Sequence, residues 1–123
     1  MRVFRLIAMC VALGAVLSVP SLTTAAENYT AYVACGWRTS APPATSCSKN
    51  GRIAAFFRSN NATVRFRTCV TFPNGETQCT ARATATEDVF YRSKLTVGSR
   101  GTLTVRWKVA GTVVANYSIR ITR

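Results

Sequence analysis

The residues of this sequence that can do chemistry are few, and their types favour binding over catalysis. The 123-residue chain has no histidine and only four Asp and Glu residues, which removes the commonest general base and metal ligand. Glu87 and Asp88 are adjacent. Neighbouring strand residues point to opposite faces, so these two make a poor acid–base pair and suit a turn before Val89. Ser46-Cys47-Ser48-Lys49 has the Ser-x-x-Lys spacing that activates a serine in some acyl-transfer enzymes. The Ser-Asp-Asn and Lys-Thr-Gly elements that accompany it there are missing, so the match reads as chance. The cysteines lack the short spacing of a zinc knuckle. No catalytic residue, metal ligand or cofactor is expected.

What the sequence has in quantity is positive charge. Sixteen Lys and Arg residues against four acids give a net charge of +12. Such a surface attracts anions and resists self-association, favouring a monomer. The basic residues fall on one parity of alternating segments. From Thr63 to Phe72, Val64, Phe66, Val70 and Phe72 share a face with Thr68, while Arg65, Arg67 and Cys69 take the other. Near the C-terminus, Leu103, Val105, Trp107 and Val109 alternate with Thr102, Thr104, Arg106 and Lys108, and Ile119 and Ile121 flank Arg120. Arg65, Arg67, Arg106, Lys108 and Arg120 are therefore candidate anion-binding residues on an outward face. A merely solvated surface is the competing reading. Arg65-Phe66-Arg67 resembles the interleaving of single-strand nucleic-acid binders, but Phe66 points to the core and offers no stacking platform. The second candidate is the segment Gly36 to Lys49, with Pro42-Pro43 and the pair Trp37 and Arg38. Trp and Arg are enriched at binding hot spots, and a constrained loop with Arg38 exposed would suit a protease-inhibitor-like contact. The plainer role for Trp37 is to cover the open end of the fold.

These candidates need strands to position them. Period-two alternation dominates, with no helical stripe. Strands are expected near Tyr29 to Cys35, Arg52 to Arg58, Thr63 to Phe72, a return strand through Ala85, Val89 to Val97, and a final hairpin turning at Ala110-Gly111-Thr112. Asn50-Gly51, Asn60-Asn61 and Pro73-Asn74-Gly75 mark turns, the last a three-residue hairpin loop. That loop puts Cys69 opposite Cys79, within disulfide reach, but pairs Ala81, Ala83 and Ala85 with the outward arginines. A β-bulge near Thr80 reconciles the disulfide with inward alanines. About seven strands with regular turn signals predict an all-β, immunoglobulin-like two-sheet sandwich. A small closed, OB-like barrel is the alternative.

The N-terminus is expected to be a cleaved signal peptide over residues 1–25. Arg2 and Arg5 precede the apolar run Leu6 to Val19, Pro20 ends it, and Thr23-Thr24-Ala25-Ala26 supplies small residues for cleavage. The mature chain would start at Ala26 or Glu27, and residues 26–123 would form one domain with a net charge of +10 after loss of the two arginines. Four cysteines would remain, and an even number in an exported domain reads as disulfides. Cys35–Cys47 and Cys69–Cys79 are the favoured pairs, each closing a local loop rather than tying the sheets together. Asn28, Asn61 and Asn116 sit in sequons that matter only in a glycosylating host. The expectation is a secreted, or periplasmic, non-enzymatic module. Its partner would be an anionic polymer or surface such as a cell-wall polymer or acidic glycan, or else a protein met by the Cys35–Cys47 loop.

Overall fold

A computed structural model describes residues 28–123. The expected signal segment and its cleavage point lie outside the described residues. The strands in chain order are β1 (Tyr29–Ala34), β2 (Ser46–Ser48), β3 (Ile53–Ser59), β4 (Val64–Thr71), β5 (Thr77–Cys79), β6 (Ala83–Ala85), β7 (Tyr91–Leu95), β8 (Gly101–Val109) and β9 (Thr112–Thr122). They form two sheets, β1-β3-β7 and β2-β9-β8-β4-β5, with β6 also paired to β4. The protein is a two-sheet β-sandwich, not a closed barrel.

Alternation builds the core between the sheets. The smaller sheet contributes Val33, Ile53, Ala55 and Phe57; the larger contributes Phe66, Val70, Leu103, Val105, Trp107, Ile119 and Ile121. Phe57 stacks on Phe66 at 4.5 Å between ring centroids and on Trp107 at 6.4 Å. Aromatic and β-branched side chains fill a sandwich interior well because each covers much area with few rotamers.

The registers resolve the conflict around Cys69. Pro73-Asn74-Gly75 closes the β4–β5 hairpin, with Gly75 at φ 92° and the Phe72 N–H donating to Glu76 O at 2.8 Å. Cys69 pairs with Cys79, yet Phe66 pairs with Ala83. Three steps back along β4 thus match four along the return strand, so the segment Thr80–Arg82 holds one extra residue. Thr80 marks the displacement: its N–H donates to Thr68 O at 2.8 Å, and its Oγ1 accepts from Thr68 N–H at 3.2 Å. The bulge lets Ala85 reach the core while Cys79 stays exposed and Cys69 is covered on the opposite side of the sheet.

Four details differ from the sequence reading. Within the expected loop, Ser46–Ser48 forms a strand parallel to β9. Three small polar residues carry no local strand signal; their pairing comes from the distant C-terminus. The final hairpin turns on two residues, Ala110 (φ 53°) and Gly111 (φ 80°), and the extra residue of the expected three-residue turn appears instead as a bulge at Val114. The inward apolar pairing from Trp107 to Leu103 is unchanged, because a residue moved from turn to bulge leaves the distal register intact. The Cys35–Cys47 bridge (Cα–Cα 5.5 Å) runs from the end of β1 to β2, strands of different sheets, so it does tie the sandwich together. Cys69–Cys79 joins neighbours within one sheet.

Trp37 is the fourth. It does not cover the sandwich's open end. On the outer face of the smaller sheet, Ala34, Ala54 and Phe56 are fully buried beneath a second apolar cluster with Tyr32, Trp37, Ala41 and Phe90. The alanines of β1 and β3 leave room for the indole, which the loop after Cys35 lays across them.

Candidate anion-binding surface of the larger sheet

The outward side of the larger sheet collects the predicted arginines by register. Arg67 on β4 lies opposite Lys108 on β8, and Cys69 opposite Arg106. Arg65 stands two residues along β4, about 7 Å away at the strand rise. Arg65, Arg67, Arg82 and Lys108 line an open depression of about 620 Å³ together with Val64, Phe66, Val109 and the Ala110-Gly111 turn. Arg106 borders this group through the Cys69 row. Its Nη1 donates to Thr71 Oγ1 at 3.3 Å, which turns the guanidinium away from the depression.

Arg120 is not part of this group. It pairs with Thr102 at the other end of β8. There it lines a second shallow site with Arg100 and Arg123. Of the five predicted residues, Arg65, Arg67 and Lys108 share the depression, Arg106 borders it, and Arg120 belongs to a second cluster. Between the clusters runs a row of hydroxyls across the strands: Thr77 bonds Thr71 at 2.9 Å and Thr104 bonds Ser118 at 2.9 Å. Register aligns Thr71 with Thr104, so the row crosses β5, β4, β8 and β9. The described Asp and Glu side chains, Glu76, Glu87 and Asp88, lie in the β4–β5 and β6–β7 connections and line neither site.

Arg82, Arg100 and Arg123 were missed as site residues. Arg82 was legible once the bulge at Thr80 was accepted, since inward Ala83 and Ala85 make it outward. Arg100 and Arg123 flank strand ends, where alternation carries no signal.

The Cys35–Cys47 loop is held by its own framework. Arg92 Nη1 donates to Trp37 O at 2.5 Å. The Arg52 guanidinium and the Lys94 ammonium lie 4.9 and 4.5 Å from the Trp37 ring centre, within cation–π range. Tyr32 Oη donates to Thr39 O at 3.4 Å and Tyr117 Oη to Ala44 O at 3.0 Å. Burial pushes both phenols above their ordinary pKa, with Arg58 partly opposing this at Tyr32. Arg38 is exposed, and its carbonyl accepts from Ala41 N–H at 2.9 Å in a turn.

No family model and no curated protein matches the chain. Among solved structures it is similar to the alkylpurine DNA glycosylase AlkC of Pseudomonas fluorescens, bound to DNA containing an abasic-site analogue, with a TM-score of 0.50 and 11% identity. The match covers 78% of this chain and 31% of that one, and the likeness is one of fold.

Proposed function

We propose that the protein is a secreted, non-enzymatic binding module that holds an anionic polymer against the outer face of its larger sheet. One observation carries this reading: Arg65, Arg67, Arg82 and Lys108, from two strands and a bulge, converge on a single depression with no carboxylate in its lining. A surface charged for solubility alone would intersperse its signs. Two disulfides are compatible with an oxidising compartment, where extracellular polyanions are met. Guanidinium forks suit carboxylate, sulfate and phosphate groups alike.

The test is retention on immobilised heparin against salt. Replacing Arg65, Arg67, Arg82 and Lys108 by serine should bring elution to markedly lower salt. For the unaltered protein, the log–log slope of affinity against salt should include a contribution of about −3 from these four contacts. Unchanged elution of the variant, or no retention of the parent at low salt, would refute the proposal. Because a similar fold occurs in a DNA glycosylase, single-stranded DNA belongs in the same assay as a competitor.

A further inference from the structure

Lys108 and Arg120, one from each cationic cluster, lie with the hydroxyl row between them on one face of the larger sheet. Lys108 of the first cluster and Thr102, the partner of Arg120 in the second, are six residues apart on β8, about 20 Å at the strand rise. Each cluster is compact: Arg67 lies opposite Lys108 with Arg65 two residues away, and Arg100, Arg120 and Arg123 share one small site. Separation between the clusters exceeds the Debye length of about 8 Å at physiological salt, so each acts as an independent anion site. Thr71, Thr104 and Ser118 occupy the middle; Thr71 pairs with Thr77 and Thr104 with Ser118, and each pair keeps one hydroxyl proton and spare lone pairs for a chain crossing it. Each hydroxyl can both give and accept a hydrogen bond, which matches the hydroxyl groups of a sugar. The aromatic side chains of β4 and β8, Phe66 and Trp107, are both buried on the inner side. That leaves the strip between the clusters without a ring on which a nucleobase could stack.

Resting on the binding role proposed above, we infer that the ligand is a linear acidic glycan, lying along the strands and spanning both clusters. Its acidic groups seat at either end and its sugar hydroxyls meet the row between. Such a chain makes the second contact intramolecularly, so affinity rises with length in a step once the chain can reach across.

The experiment compares a heparin-type tetrasaccharide, a dodecasaccharide and an oligothymidylate as long as the dodecasaccharide, by titration calorimetry at several salt concentrations. The dodecasaccharide should bind on the order of 100-fold more tightly than the tetrasaccharide. Its salt slope should steepen from about −3 to about −5 as three further cations are engaged. Replacing Arg100, Arg120 and Arg123 by serine should bring the dodecasaccharide down to the tetrasaccharide's affinity, while the tetrasaccharide keeps its affinity for the Lys108 cluster and loses its second site, a fall in stoichiometry from two towards one. These residues are exposed, and circular dichroism would check that the fold is kept. If the triple variant weakens both glycans alike, or length brings no step, the spanning geometry is wrong although anion binding stands. If oligothymidylate binds more tightly than the dodecasaccharide, the glycan assignment is wrong. If none of the three binds at low salt, the binding role itself fails.

Discussion

Loss of either disulfide tests whether the loop carrying Trp37 is part of the fold or an appendage. The two rings have nearly equal sequence separations, 12 and 10, so chain entropy assigns about 3 kcal/mol to each. Their places in the structure differ. Cys69–Cys79 links strands already paired across a hairpin. Cys35–Cys47 links the two sheets and fixes the stem of the loop that lays Trp37 over Ala34, Ala54 and Phe56. Trp37 is half-buried, which corresponds to about 100 Å² of aromatic surface and about 2.5 kcal/mol at 25 cal/mol per Å². Replacing Cys69 and Cys79 by alanine should therefore lower stability by about 3 kcal/mol, and replacing Cys35 and Cys47 by about 5 kcal/mol. Urea unfolding measures both. Tryptophan emission adds a second readout, because Trp107 is fully buried and a red shift of the native baseline in the Cys35/Cys47 variant would come from Trp37. Equal losses in the two variants, or an unshifted baseline, would refute the view that this bridge anchors the loop.

Alkaline pH should release the same loop. Both phenols that bond it, Tyr32 and Tyr117, have pKa values raised by burial, so the folded state favours the neutral form. The stability this brings is complete below the unfolded value of about 10 and is lost as pH rises through the raised one. Phenolate absorbance should show late-titrating groups that disappear one each in Tyr32→Phe and Tyr117→Phe; titration unaffected by either substitution would sink the argument. At the final hairpin, Ala110 occupies a left-handed position at φ 53° before Gly111 at φ 80°. Asn tolerates that conformation better than a Cβ with no polar group, so Ala110→Asn should raise stability by about 0.5–1 kcal/mol, visible as a higher Tm. An unchanged or lower Tm would mean that the turn is not limited by Ala110.

Whatever depended on parity was legible in the sequence. Phe66 and Trp107 point inward and Arg65, Arg67, Arg106 and Lys108 lie on the opposite parity because a strand alternates. Even the bulge at Thr80 followed from demanding that Cys69 and Ala85 both be satisfied. Pairing between distant segments was not legible. Ser46–Ser48 becomes a strand only because β9 is beside it, and the inter-sheet role of Cys35–Cys47 follows from that pairing. The second apolar cluster was hidden for a related reason. Phe56 has the parity of a solvent-facing residue, and only the folded loop shows that Trp37 covers it.

The same distinction governs the site. Parity assigns a cation to a face but says nothing of its position across the sheet, which is set by register between β4, β8 and β9. Register is what splits the outward cations into one group around Lys108 and another around Arg120. In the first group Arg67 and Lys108 face each other across neighbouring strands, about 5 Å apart, so like charges repel there with little screening, whereas the two groups barely feel each other. Charges distributed only for solubility would gain nothing from this crowding and would be more stable spread out. A polyanion seated on the folded sheet would neutralise that repulsion. A ligand that fits should therefore raise the Tm as well as bind, since anything that binds the folded state alone stabilises it.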